Sequence, residues 1–158
     1  MSGQEILAFV RARAAAGALF FDPDGRVMIV QPSYKPQRDI PGGFVEPGET
    51  PYEACVREVA EELGIRPPIG RLLVADWAPD PVAGELILFV FDGGLLDAGT
   101  LEQVTFADNE ITAFGFHPVR DVDGLLVPGL ARRVTAAVAA RERGETVYLE
   151  HGRTLGTR

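Results

Sequence analysis

The segment from Thr50 to Gly64 constrains this chain more than any other. Thr50 can cap a helix, Pro51 suits the first helical position, and Glu53 stands three residues after the cap, where it completes a capping box. Gly64 supplies the stop, because a left-handed residue past a helix end is least costly as glycine. The spacing predicts a helix over Thr50–Leu63 with two unlike faces. At about 100° per residue, Tyr52, Cys55, Val56, Val59 and Leu63 gather on one side, and Arg57, Glu58, Glu61 and Glu62 on the other. The first set reads as core. The second crowds three carboxylates together, and each like-charged pair at such spacing costs a helix about 0.2–0.5 kcal/mol. They also sit near the helix C-terminus, where the macrodipole disfavours anions. Folding alone gives little reason for this choice, whereas a hard divalent cation would relieve the conflict. Taken bare, such a cluster is most simply a solvated acidic face, so the residues around it decide.

Around this helix the pattern is mainly strand. Ala14–Phe21 and Arg26–Gln31 alternate apolar positions about Asp22-Pro23-Asp24-Gly25, a strong turn signal. Leu72–Trp77, Leu86–Phe91, Thr112–His117 and a short Thr146–Glu150 are further strand candidates. Residues 6–13 read as a short amphipathic helix or an extended lead-in, and residues 33–39 as a polar loop. Asp92-Gly93-Gly94 and Asp97-Ala98-Gly99 read as turns. A second helix is expected near Pro128–Arg143, apolar at Leu130, Val134, Ala137 and Val138. Strands, helix, strands, helix points to a mixed sheet with helices packed on it, an α/β or α+β architecture. At 158 residues the chain is expected to form one domain with a real core.

Charge and cysteine content narrow the chemistry. A formal charge of −8 argues against a nucleic-acid duplex as partner, since such binders usually carry a basic face. An acidic protein that handles phosphates needs cations to do so. With one cysteine, Cys55, and two distant histidines, His117 and His151, no disulfide or zinc-ligand spacing exists. No apolar run is long enough for a membrane span, and the start of the chain lacks the features of a signal peptide. A cytoplasmic location is the expectation.

The helix belongs to a longer pattern. From Gly43 there follow five residues, Glu49, seven residues, Arg57-Glu58-Val59, one residue, Glu61-Glu62, one residue, and Gly64-Ile65. This resembles the Nudix box, G-x5-E-x7-R-E-U-x-E-E-x-G-U, in which U is a bulky aliphatic. All nine defined positions match over 23 residues, which makes the motif highly specific. The resemblance covers Gly43–Ile65, with Pro41-Gly42-Gly43-Phe44 and the strand order in keeping.

The resemblance implies an α/β/α sandwich with a mixed sheet and a loop–helix–loop catalytic motif. It also implies hydrolysis of a phosphoanhydride bond in a nucleoside diphosphate linked to another moiety. Mg²⁺ is the implied cofactor, with Mn²⁺ as a substitute, and Glu58, Glu61, Glu62 and the Gly42 carbonyl are the implied ligands. Glu49 and Arg57 would pair to hold the loop against the helix. The general base stays open among Glu58 and Glu61 of the box and Glu85 and Glu110 outside it. Pro81 stands at a spacing weakly associated with ADP-ribose-cleaving members, Trp77 could stack on a base, and Lys35 and Arg38 could touch phosphate. A small nucleotide is thus the expected substrate, and a homodimer is in keeping with the family. Three alternatives are a house-cleaning enzyme for (deoxy)nucleoside triphosphates, a non-catalytic nucleotide-binding module, and an isoprenoid-diphosphate isomerase. The last would need a catalytic cysteine, and Cys55 reads as core.

Overall fold

The structure, a computed structural model, describes residues 1–157. Strand β1 (Arg13–Phe21) lies at the middle of a seven-stranded sheet. It is flanked by β2 (Val27–Pro32), and β6 (Ile111–His117) forms the outer strand beyond. On its other side come β5 (Leu86–Leu95), β4 (Leu72–Trp77) and β7 (Val147–Glu150). The short β3 (Gly42–Phe44) also pairs with β1, antiparallel. β1 runs parallel to β5 and β4 parallel to β7, while the other pairings are antiparallel, so the sheet is mixed as expected.

Both faces of this sheet are covered. Helix α2 (Pro51–Leu63) packs on one face and the later helix α4 (Pro128–Arg143) on the other. Alternation along the strands sorts the side chains. Leu19, Phe21, Val27 and Ile29 join the cluster with Leu130, Val134 and Ala137. Ala18, Phe20, Met28 and Val30 join Ala54, Cys55, Val59 and Leu63. The result is an α/β/α sandwich.

The caps of α2 form as its sequence implies. The Glu53 amide donates to Thr50 Oγ1 at 3.2 Å and the Thr50 amide to Glu53 Oε2 at 2.7 Å. Gly64 closes the helix at φ 67°. The Asp22–Gly25 turn also forms, with the Gly25 amide donating to the Asp22 carbonyl.

Several local expectations need correction. Asp92-Gly93-Gly94 is no turn: β5 continues to Leu95, and Gly93 is the extra residue of a bulge against Leu19/Phe20. A Cβ at residue 93 would stand 2.6 Å from Phe20 Cε1, so only glycine lets the Phe20 ring lie there. Asp97-Ala98-Gly99 begins a short helix, α3 (Ala98–Glu102), because Asp97 accepts from the Thr100 amide and caps it. At the start of the chain, α1 spans Gly3–Leu7, capped by Ser2, and buries none of its residues. Tyr52, read as core, lies at the margin, where its ring meets Phe91 edge-on and its hydroxyl donates to the Ile69 carbonyl.

Candidate active site

The loop from β3 into α2 brings the motif residues together at one end of the sheet. Arg57, two turns into α2, is its organising cation. Its Nε donates to Glu49 Oε2 at 3.0 Å and Nη2 to Glu49 Oε1 at 2.7 Å, a bidentate pair that ties the loop to the helix. Nη2 also donates to the Phe44 carbonyl, while Nη1 reaches Glu58 Oε1 at 2.9 Å and Glu61 Oε2 at 3.1 Å. These bonds, those to Glu49 foremost, hold Arg57 in its cationic form, and they keep the Glu49 carboxyl below the usual carboxylate range.

Glu62 is not on the solvated face where the sequence reading grouped it with Arg57, Glu58 and Glu61. Only 4% of its surface is exposed, and the Gly42 amide donates to its Oε1 at 3.1 Å. The phase explains this: at 100° per residue, Glu62 falls 20° from Cys55 and 60° from Val59, nearer the apolar stripe than the outer face. Burial pushes its carboxyl up to about 9, and Glu58, Asp39 and Glu110 reinforce the shift against the opposing Gly42 amide. Burial also raises Glu58, opposed by Arg57.

Glu58, Glu62 and Glu110 converge. Each offers a carboxylate oxygen, and these oxygens all lie within 4.8 Å of one another. Glu110 comes from the chain entering β6, where its carbonyl accepts from the Ser33 amide and fixes the approach of this segment. Glu61 is not in this cluster; its side chain is half exposed and turned to Arg57. Glu85 lies at the start of β5, outside the cluster. Three hard oxygen donors close together, one of them buried, match what a small divalent cation takes.

Two glycines make the convergence possible. A Cβ at Gly42 would stand 2.6 Å from Gly17 Cα and closer still to the Ala16 carbonyl oxygen. At Gly43 it would stand 2.5 Å from Glu58 Cδ. Close approach of β3 to β1, and of Glu58 to β3, therefore requires both.

A cavity of about 240 Å³ opens beside Gly42 and Gly43. Leu88, Phe89 and Val90 of β5 and Leu130 of α4 supply apolar wall, and Lys35 and Arg133 supply cations. Lys35 is paired with Asp39 at 2.7 Å. Of the other residues weighed for substrate contact, Arg38, Trp77 and Pro81 do not line it. Sequence reading missed Arg133 and its partner Asp76. The signals were an arginine in register with Leu130 and Val134 on a buried stripe, and a lone carboxylate within an apolar strand. Cys55 is fully buried and its thiol is pushed up to about 12 by that burial, which leaves it unsuited to act as the nucleophile or acid of an isomerase.

The NUDIX domain model matches residues 11–138, and the chain belongs to this family. An ADP-ribose pyrophosphatase of Methanocaldococcus jannaschii is 38% identical over 86 residues, which is 49% of this chain and 51% of that protein. The human diphosphoinositol polyphosphate phosphohydrolase 3-alpha is 44% identical over 64 residues, 40% of this chain and 39% of its own. The matches thus span about half or less of these relatives. Among solved structures, a MutT protein from Methanosarcina mazei Go1 superposes with a TM-score of 0.67 at 23% identity, covering 86% of this chain and 98% of its own. The NUDIX domain of Shewanella oneidensis NrtR, complexed with ADP ribose, gives 0.66 at 21% identity, covering 90% and 99%. These structures share the fold. Among the described residues, no helix is long and apolar enough to cross a membrane.

Proposed function

We propose that this chain is a divalent-metal-dependent hydrolase that cleaves the phosphoanhydride bond of a nucleoside diphosphate linked to another moiety. The observation that carries this reading is the convergence of Glu58, Glu62 and Glu110 beside a cavity rimmed by Gly42 and Gly43. Glu58, Glu62 and the Gly42 carbonyl would hold Mg²⁺, with Mn²⁺ able to replace it, and Glu61 would contribute through water at the edge. When bound, the ion supplies charge neutralisation at the phosphate oxygens and an acidified water. The likeness to an ADP-ribose pyrophosphatase makes ADP-ribose the first substrate to test.

The protein's own groups have distinct parts in this reading. Arg57 and Glu49 fix the loop and aim the Glu58 carboxylate. Glu110 is the preferred general base. It lies with the other two carboxylates yet comes from a separate segment, and its side chain is exposed and open to water. Lys35, lining the cavity, would neutralise a substrate phosphate oxygen if it left Asp39. One free cysteine and small-molecule chemistry suit a reducing, cytoplasmic setting.

The test is a screen with Mg²⁺ against ADP-ribose, nucleoside diphosphate sugars, dinucleoside polyphosphates, and normal and oxidised nucleoside triphosphates, with Glu62→Gln as control. Metal-dependent turnover of a diphosphate-linked nucleoside, lost in the variant, supports the reading. Preference for triphosphates would move it to the house-cleaning class. Nucleotide binding without any turnover would make the chain a binding module.

A further inference from the structure

Arg133, in the wall of the cavity, belongs to a buried ion pair that the proposed hydrolysis does not use. Asp76 on β4 has no exposed surface; its Oδ2 accepts from Arg133 Nε at 2.8 Å and its Oδ1 from the Gly152 amide at 3.0 Å. Arg133 on α4 is 8% exposed and lines the cavity. Among the described residues neither of its Nη groups makes a hydrogen bond, and no fully buried side-chain nitrogen lacks a partner. The Nη groups therefore keep open surface, and the cavity that Arg133 lines is where a ligand can meet them. Such a pair seldom stabilises a fold more than apolar side chains of the same volume would. Asp76 thus anchors a guanidinium fork by one nitrogen and leaves the other two for a ligand.

The surroundings state what ligand fits. Arg133 is neutralised by Asp76 and Lys35 by Asp39, so the cavity offers no excess positive charge. Its Leu88, Phe89, Val90 and Leu130 walls suit a flat, largely apolar group. A guanidinium only donates, so that group must present acceptors. A polyphosphorylated ring presents acceptors but is neither flat, apolar nor free of charge; a nucleobase meets all three conditions. Gly42 and Gly43 also line the cavity and lie against Glu62 and Glu58, so phosphates attached to a seated nucleoside would point toward the converging glutamates.

We propose that Arg133 is a specificity-determining residue that donates from its Nη groups to ring acceptors of the substrate's nucleobase, with Asp76 as its positioning residue. This rests on the hydrolase reading for the substrate class, but its test does not need turnover. Calorimetric titration with AMP, GMP, UMP and ribose 5-phosphate uses ligands that contain no phosphoanhydride bond. Wild-type protein should bind at least one nucleotide about tenfold or more tightly than ribose 5-phosphate, the scale of hydrogen bonds from a charged donor. Arg133→Lys keeps a cation for Asp76 but loses the fork, and should bring that ratio to within about threefold of unity. The double variant D76N/R133M, which removes both charges and keeps an acceptor for the Gly152 amide, should do the same. In both, ribose 5-phosphate affinity should stay as in wild type, and thermal melts establish that each variant is folded. An unchanged ratio, an equal loss for ribose 5-phosphate, or no base preference in wild type would overturn the assignment. Each of those outcomes leaves the hydrolase proposal standing, just as absent turnover would leave this one.

Discussion

Replacing Gly42 and Gly43 singly by alanine should separate the fold's need for glycine from the site's. At Gly42 the obstacles are backbone: reaching 3.4 Å, the start of ordinary contact, from 2.6 Å of Gly17 Cα requires β3 to withdraw by about 0.8 Å. That withdrawal strains the hydrogen bonds from the Ala18 amide to the Pro41 carbonyl (3.0 Å) and from the Gly42 amide to Glu62 Oε1 (3.1 Å). Two such bonds are worth about 1 kcal/mol each, and the unfavourable backbone conformation at φ 155° adds about 1–3 kcal/mol. The sum is about 3–5 kcal/mol, or a fall in Tm of about 6–20 °C for a chain of this size. At Gly43 the obstacle is the end of the Glu58 side chain, which can rotate aside. Gly43→Ala should cost less than about 1 kcal/mol but displace a carboxylate of the cluster, and a misplacement near 1 Å costs about a hundredfold in rate. Gly25→Ala is the control, because Gly25 has φ 76° and nothing within 4 Å, leaving about 1–2 kcal/mol of backbone strain alone. Thermal melts and Mg²⁺-dependent turnover of the best substrate read both quantities. The reasoning fails if Gly42→Ala melts no lower than Gly25→Ala, or if Gly43→Ala retains wild-type turnover.

Other perturbations have equally definite outcomes. Because the Glu62 carboxyl is raised in the folded protein from 4.5 to about 9, folding favours its protonated form. This contribution to stability is present below about pH 4.5 and is lost as pH rises toward 9. Metal-free Glu62→Gln should therefore gain Tm relative to wild type as pH climbs from 5 to 9 in chelator-treated melts, and a flat difference would contradict this. Arg57→Ala should lower kcat about 10–100-fold by freeing the Glu58 and Glu49 carboxylates, with thermal melts showing a folded protein; wild-type kcat would remove its orienting role. Gly93→Ala should destabilise by about 1–3 kcal/mol through overpacking against the Phe20 ring, as measured by urea unfolding, and an unchanged midpoint would refute the bulge argument.

How much was readable from the chain depended on whether the cause was local. The α2 caps, the Asp22–Gly25 turn and the apolar stripe of α4 rest on residues within a few positions of one another, and all appear in the structure. The continuation of β5 through Gly93 was hidden, because an Asp-Gly-Gly run is the same whether it turns or bulges. Only Phe20, far back in the chain, tells them apart. Grouping Glu62 with the outer carboxylates passed over its phase, only 20° from Cys55, which sets it beside the apolar stripe, where the Gly42 amide of β3 meets it and it is buried. Glu110 was one of four glutamates open as the general base, and the β2–β6 pairing carries it to Glu58 and Glu62. Asp76 and Arg133 lie 57 residues apart, and nothing short of the packing of α4 on β4 joins them.

In the proposed hydrolase Glu58 and Glu62 hold the divalent cation, and Glu110 stands beside them as the general base. Titration of Mn²⁺ followed by electron paramagnetic resonance measures this directly, with wild type beside Glu58→Gln, Glu62→Gln and Glu110→Gln. Saturable binding in wild type, weakened about tenfold or more in the Glu58 and Glu62 variants, is the expected result. Equal binding in wild type and in a protein carrying all three substitutions would place the cation elsewhere and contradict the account.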